Sequence, residues 1–221
     1  TPARQRPRQR LPLALVTQIQ RSGGTLVSQL LDGHPELFAH PHEIQIGRPA
    51  KWHWPALDLA QAPAHWLSTL FERRLPHFVQ KGYSKADGNT AAAGRTHPFD
   101  FSLPLLCAEF LDDLSRRPAT QQRDVLDAYF SAYFTAWSDH EPTGRERWFT
   151  GFTPRLLGYR ESVLGFRRDY PNGLLIACIR DPRSWFVSSS RHAAEYARVD
   201  HAMNLWRQST TAALELMEHR P

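Results

Sequence analysis

Apolar and polar residues follow one another along this chain in two rhythms, and each change of rhythm marks an element. Leu11-Pro12-Leu13-Ala14-Leu15-Val16 is a short apolar run that predicts a buried strand. Beyond a polar, glycine-bearing stretch, Leu26, Val27, Leu30 and Leu31 recur at helical spacing. Asp32-Gly33 closes that helix, with Gly33 at the left-handed position that often ends one. The chain then returns through Leu37-Phe38-Ala39 to a short polar turn, His40-Pro41-His42-Glu43.

The middle of the chain has little strand character. Trp66, Leu67, Leu70 and Phe71 predict a helix closed by Arg73, Arg74 and Pro76, and Leu106, Phe110, Leu111 and Leu114 predict another. The clearest helix spans 125–137, where Leu126, Tyr129, Phe130, Tyr133, Phe134 and Trp137 form one broad aromatic face. That face reads first as core, with part of it available to wall an acceptor pocket. Thr153-Pro154 starts a further helix, with Tyr159, Val163 and Phe166 inward, which leads through the Asn172-Gly173 turn to Leu174-Leu175-Ile176-Ala177-Cys178-Ile179. This last run is continuous and apolar, so it reads as a fully buried parallel strand. Asp181-Pro182 is a good helix start, and Asp200 caps a final helix carrying Met203, Trp206, Leu214 and Met217.

Helix followed by buried strand, twice, predicts an α/β fold with a parallel sheet flanked by helices. A chain of 221 residues supports one such domain over 11–221, with 51–150 mostly helical and on the acceptor side. The pattern would feed another strand beyond Pro221, so part of the C-terminal region is expected to be missing. Residues 1–10 read as a basic, flexible leader. Arg4, Arg6, Arg8 and Arg10 supply most of the net charge of +5, so the remainder is nearly neutral and gives no reason to expect a specific nucleic-acid partner.

The glycine-bearing stretch is Gln18-Ile19-Gln20-Arg21-Ser22-Gly23-Gly24-Thr25-Leu26. Placed between a strand and a helix, it aims backbone N–H groups and the positive end of a helix dipole at one point, and Gly23 and Gly24 let an anion approach closely. The nucleotide-hydrolase form of such a loop ends in Gly-Lys-Ser/Thr and opens on an earlier glycine. Here Gly24 stands at the lysine position and Gln18 at the first glycine, so both defining positions fail. What remains is the cation of Arg21 with the hydroxyls of Ser22 and Thr25. That pattern resembles the 5′-phosphosulfate loop of the sulfotransferases, Lys/Arg-Ser-Gly-Thr-Thr, with Gly24 in place of the first threonine.

A second segment is similar to the same family. Its members hold the 3′-phosphate of the donor 3′-phosphoadenosine 5′-phosphosulfate (PAPS) with a strand-end arginine and a serine on the helix that follows, and Arg180 and Ser188 have that spacing. The resemblance covers the loop region and roughly residues 150–200, leaving the middle unmatched. It implies a P-loop-like fold, PAPS as donor and the 3′,5′-bisphosphate PAP as product. The donor-binding set it implies is Arg21, Ser22, Gly23, Gly24, Thr25, Leu26, Arg180 and Ser188. The implied reaction is in-line transfer of a sulfuryl group to a hydroxyl or amine of a small-molecule or glycan acceptor.

Sulfuryl transfer moves little negative charge, so it needs no obligatory metal, unlike phosphoryl transfer. It does need a base for the acceptor and a cation for the leaving phosphate. Arg21 is the cation that the resemblance supplies. The family's base, commonly Glu, stands about 20 residues beyond it, a position shared here by His42 and Glu43. A one-residue slip in alignment decides between them, and Glu43 is favoured because the family's Glu usually closes a short polar turn. His40, His42 and Glu43 lack the helical spacing of a zinc-binding H-E-x-x-H motif, so no metal site is expected.

The chain departs from the family at Gly151-Phe152-Thr153-Pro154-Arg155, where Phe152 replaces a lysine that contacts the leaving group. Arg21 alone, Arg155, or a lysine such as Lys81 or Lys85 would then cover that charge, or the protein is a weak or inactive relative. Two other classes stay open: a kinase-like P-loop phosphotransferase and a noncatalytic nucleotide or polyanion module. Cys107 and Cys178 lie in apolar runs and read as reduced core residues. No apolar stretch reaches membrane-spanning length, which with the cysteines points to a cytoplasmic protein.

Overall fold

The computed structural model describes residues 10–47, 52–82 and 98–218. Its sheet is built from β1 (Leu13–Val16), β2 (Leu37–Glu43), β3 (Trp148–Phe152) and β4 (Leu174–Ile176), in the order β2-β3-β1-β4 with every pair parallel. Eight α-helices flank it among the described residues: α1 (Gly24–Leu31), α2 (Pro63–Leu70), α3 (Leu75–Lys81), α4 (Leu103–Arg116), α5 (Gln122–Ala136), α6 (Arg160–Asp169), α7 (Pro182–Ser189) and α8 (Val199–Glu218). The expected α/β architecture with a helical middle is what forms.

β1 is buried along its whole length because strands pair with it on both sides and helices cover both faces. α5 carries most of the core. Twelve of its fifteen residues are buried, so the aromatic face is packing rather than an open wall. Phe134 stacks on Phe149 of β3 at 5.8 Å and meets Phe38 of β2 at 5.0 Å. Each such fully buried ring contributes on the order of 2–3 kcal/mol through area removed from water.

Several expectations are corrected. The run 174–179 is not a fully buried strand: only Leu174–Ile176 pair, and Leu174 and Ile179 are 46% and 50% exposed. Among the described residues β4 lies at the sheet edge and pairs with β1 alone. His40-Pro41-His42-Glu43 is not a turn but the second half of β2, with a register shift against β3 between Ala39 and Glu43. No α-helix starts at Thr153-Pro154; a 3-10 turn at Leu156–Gly158 intervenes and α6 begins at Arg160. Asp200 lies in the first turn of α8 rather than at its cap.

In α1 the register that turns Gly24 inward places Leu26 and Leu30 on the opposite side, where they are 59% and 73% exposed. Arg10, assigned to the leader, instead pairs with Asp124 at the start of α5. Arg4, Arg6 and Arg8 lie outside the described residues. Cys107 and Cys178 are unpaired but only half-buried, so neither is a core residue. No helix among the described residues is long and apolar enough to cross a membrane.

Candidate functional site

The loop after β1 is held in its shape from three directions. Arg21 has a left-handed backbone, φ 68, which costs a non-glycine residue roughly 1–2 kcal/mol and persists only when its surroundings enforce it. Here Trp185 of α7 donates from its indole to the Gln20 carbonyl at 2.8 Å, and Arg180 donates to the Arg21 carbonyl at 3.1 Å. Ser209 of α8 accepts from the Ile19 N–H at 3.1 Å. Trp185 is fully buried with Ile19, Tyr196 and Ala202 in a small core of its own.

The two glycines are required for different reasons. Gly23 precedes α1 with φ 100, a conformation side chains resist, although a methyl group there would meet nothing. Gly24 is required by space: a Cβ at this position would stand 2.0 Å from Gln18 Nε2 and 2.4 Å from Phe152 Cε2. Phe152, at the family's lysine position, therefore occupies the volume in which the family's threonine would place its side chain. The same crowding leaves no room for a Walker-type lysine.

The two sequence segments converge. Arg21 Nε donates to Ser188 Oγ at 3.2 Å, and Arg180, besides its bond to the Arg21 carbonyl, lies 3.4 Å from Ser184 Oγ. Arg21, Arg180, Ser184, Val187, Ser188, Arg191 and His192 line an open cavity of about 260 Å³. Among the described residues that lining holds three arginines and no carboxylate, a charge balance that suits a polyanion. Ser184, Arg191 and His192 escaped the sequence reading. The basic pair immediately after Ser188-Ser189-Ser190 was the available signal. α7 itself starts as predicted, with Asp181 accepting from the N–H groups of Arg183 and Ser184.

Ser22 is buried, and its Oγ has no hydrogen-bond partner among the described residues. A buried orphan hydroxyl in a glycine loop has the chemistry of a phosphate contact. Thr25 and Leu26, by contrast, are exposed on the first turn of α1. With the positive cavity beside it, this loop fits an anionic nucleotide.

Glu43 and His42 are separated by the strand. Glu43 pairs in register with Phe152, and Phe152 closes over Gly24, so Glu43 lies at the loop end of the sheet. The His42 ring points into the helical layer, 4.6 Å from the Phe78 ring and with Nε2 2.9 Å from Tyr133 Oη. Its Nδ1 lies 3.1 Å from the Glu43 carbonyl and 3.5 Å from Glu72 Oε2. Burial lowers His42 to about 4. His40 Nε2 is 3.0 Å from Glu72 Oε1. The third member of this cluster is thus Glu72, not Glu43 as the spacing had offered. Glu72 had no sequence signal, being a lone acid between Phe71 and Arg73.

The leaving-group substitutes divide as well. Arg155 is committed elsewhere, donating to Glu195 and Tyr196 Oη with its guanidinium 4.5 Å over the Trp52 ring. Lys81 ends α3. Lys85 lies outside the described residues.

A parallel sheet with a glycine loop at the end of its first strand and a cationic cavity beside it is an α/β arrangement suited to a phosphorylated ligand. A sequence model of the Sulfotransferase family matches residues 12–220, and the chain belongs to that family. The match runs through the helical middle, well beyond the two segments that carried the resemblance. Sulfuryl transfer is the general activity this membership supports. No curated protein and no solved structure matches the chain.

Proposed function

We propose that the protein transfers a sulfuryl group from PAPS to a hydroxyl or amine acceptor. The observation that carries this reading is the junction of Arg21, Arg180 and Ser188 at one carboxylate-free cavity, because it unites the two segments expected to hold the 5′ and 3′ ends of one donor. When bound, the donor supplies an electrophilic sulfuryl group on a phosphate leaving group. Arg180 and Ser188 grip the 3′-phosphate, with Arg191 beside them adding positive charge. Ser22 Oγ, Thr25 and the N–H groups from Gly23 to Leu26 hold the 5′-phosphate. Arg21 stabilises the negative charge that grows on the departing oxygen.

Glu43 is the base in this reading. It takes the acceptor proton at its carboxylate, and its position beside Phe152 puts it nearer the loop than the His42 ring, which is turned away among Phe78 and Tyr133. Phe152 packs against Gly24 where the resemblance expects a lysine, so the leaving-group charge rests on Arg21. The acceptor is a small molecule or glycan, the chemistry calls for no metal, and the compartment is cytoplasmic.

Thermal shift distinguishes the readings. Adenosine 3′,5′-bisphosphate without magnesium should raise the melting temperature, and magnesium-ATP should not. Stabilisation by magnesium-ATP alone would favour a kinase-like enzyme, and no response to either would favour a noncatalytic module. An acceptor screen with PAPS then tests turnover.

A further inference from the structure

On the helical side of β2, three side chains from two separate segments meet in a buried cluster. His40 and His42 come from alternate positions of the strand, which places both rings on one side, and Glu72 comes from the corner between α2 and α3. His40 and Glu72 are 2% and 1% exposed, and one ligand atom from each of the three lies within 4.8 Å of the others.

The hydrogen-bond pattern leaves a place for a positive centre. His40 Nδ1 is 2.8 Å from the His42 carbonyl, an acceptor, so this nitrogen carries the ring proton. His40 Nε2 then presents a lone pair to the Glu72 carboxylate at 3.0 Å. Two acceptors at that distance need a positive centre between them, either a further proton or a cation. His42 Nδ1 faces both the Glu43 carbonyl at 3.1 Å and Glu72 Oε2 at 3.5 Å; turned to Glu72 as the unprotonated nitrogen, it gives up the bond to that carbonyl and leaves Nε2–H to donate to Tyr133 Oη at 2.9 Å. Both imidazoles thus have an acceptor for the remote N–H, the arrangement that orients metal-bound histidines. Glu72 is steadied in turn by the Gln45 N–H at 3.3 Å from Oε2.

The separations are in the range a small closure of the site would bring onto one ion. Ligand atoms about 2.0–2.1 Å from a tetrahedral zinc ion stand roughly 3.3 Å apart. His40 Nε2 is 3.0 Å from Glu72 Oε1 and His42 Nδ1 is 3.5 Å from Oε2, with the three ligand atoms within 4.8 Å of one another. Two imidazoles and a carboxylate are also a set that first-row divalent ions prefer over calcium or magnesium.

We propose that His40 Nε2, His42 Nδ1 and the Glu72 carboxylate bind one zinc-type divalent cation, which ties β2 to the corner between α2 and α3. The ion has a structural role: it lies on the helical side of the strand, turned away from the glycine loop, and stands apart from the donor reading above. The third ligand, which the sequence pattern of His40, His42 and Glu43 did not supply, arrives from Glu72.

The test uses the full chain without an affinity tag. Protein stripped with EDTA and dialysed against zinc chloride alone should retain one zinc per chain by elemental analysis. His40→Ala and Glu72→Gln should each lose it while circular dichroism shows them folded. Should either variant unfold, the wild-type protein still decides: cobalt(II) in place of zinc should give the intense visible bands of a tetrahedral nitrogen and oxygen site. The proposal is overturned if the wild type retains no zinc, if folded variants retain it undiminished, or if cobalt gives only the weak spectrum of an octahedral aqua ion.

Discussion

The cavity beside the glycine loop and the polar belt buried under α5 use similar residue types with opposite charge balance. Arg21, Arg180 and Arg191 border the cavity with no acid among its lining residues. In the belt the carboxylates of Asp169, Asp127 and Glu72 each have partners. Asp169 accepts from Trp54 Nε1 at 2.7 Å and from Gln122, while Asp127 accepts from Tyr170 at 2.9 Å and from Arg123 at 3.3 Å. Burial pushes the Glu72 carboxyl up, but the neighbouring His40 and His42, with hydrogen bonds from His40 and the Gln45 N–H, hold it below the usual range overall. A buried charge without a partner is intolerable, whereas cations bordering an open cavity keep access to solvent. Substitutions in the cavity should therefore change binding and turnover with little effect on stability. Substitutions in the belt should do the reverse.

Glu43 lies between the two regions, and it gives the largest effect. If it is the base, Glu43→Gln lowers turnover by roughly a hundredfold or more. Donor affinity measured by calorimetry should stay unchanged, since a carboxylate repels a phosphosulfate rather than holding it. Full activity in Glu43→Gln beside a dead His42→Ala would move the role into the belt and break the division.

Arg180→Ala comes next. Removing a charge-assisted phosphate contact costs about 1.5–3 kcal/mol, or roughly ten- to a hundredfold in affinity. The loss should be much larger for adenosine 3′,5′-bisphosphate than for adenosine 5′-phosphate, whose smaller loss reports the bond from Arg180 to the Arg21 carbonyl, and the unfolding midpoint should move little. Equal weakening of both ligands would deny Arg180 a 3′-phosphate role.

Gly24 and Phe152 join the cavity to the core, so their coupling sharpens the comparison. Gly24→Thr restores the family's residue but drives its Cβ into Gln18 and the Phe152 ring, and overpacking of this kind costs about 1–3 kcal/mol. Phe152→Ala should absorb most of that cost. Urea unfolding of the two single variants and the double variant measures the coupling. Additive losses would mean that the glycine and the phenylalanine are independent departures from the family pattern.

The fold was legible wherever periodicity was local. The helices near 63–70, 103–114 and 125–137 formed within a few residues of expectation, because each buries a continuous apolar face. The errors came where neighbours decide. Leu174 to Ile179 has the composition of a central strand, but pairing on one side only left it short and exposed. His40-Pro41-His42-Glu43 looks like a turn from its polar residues, yet β3 on one side and α5 rings beneath hold it extended. In the site, Arg21, Arg180 and Ser188 could be found because the resemblance fixes their spacing. Glu72 could not, since its partners lie on β2 and nothing in its own segment marks it.

The smallest expected effect tests the belt alone. Burial raises the Asp127 carboxyl from its ordinary 3.8 to about 6, although Tyr170 and Arg123 pull it back. The folded protein therefore holds this proton more tightly than the unfolded chain does. Its stabilising contribution is fully present below the unfolded value of 3.8 and is lost as pH rises through about 6. Between pH 5 and 7 the linkage removes roughly 1 kcal/mol. His42, lowered to about 4, acts in the opposite sense, present above its ordinary 6.5 and lost as pH falls. The comparison must then be variant against parent at each pH rather than the parent alone. Asp127→Asn keeps a side-chain oxygen for Tyr170 but cannot ionise, so its stability relative to the parent should improve by roughly 1 kcal/mol from pH 5 to pH 7 in urea unfolding. A difference that stays constant over that interval would mean Asp127 is ionised throughout, held by Arg123, and that the belt is balanced as an ion pair instead of a shared proton.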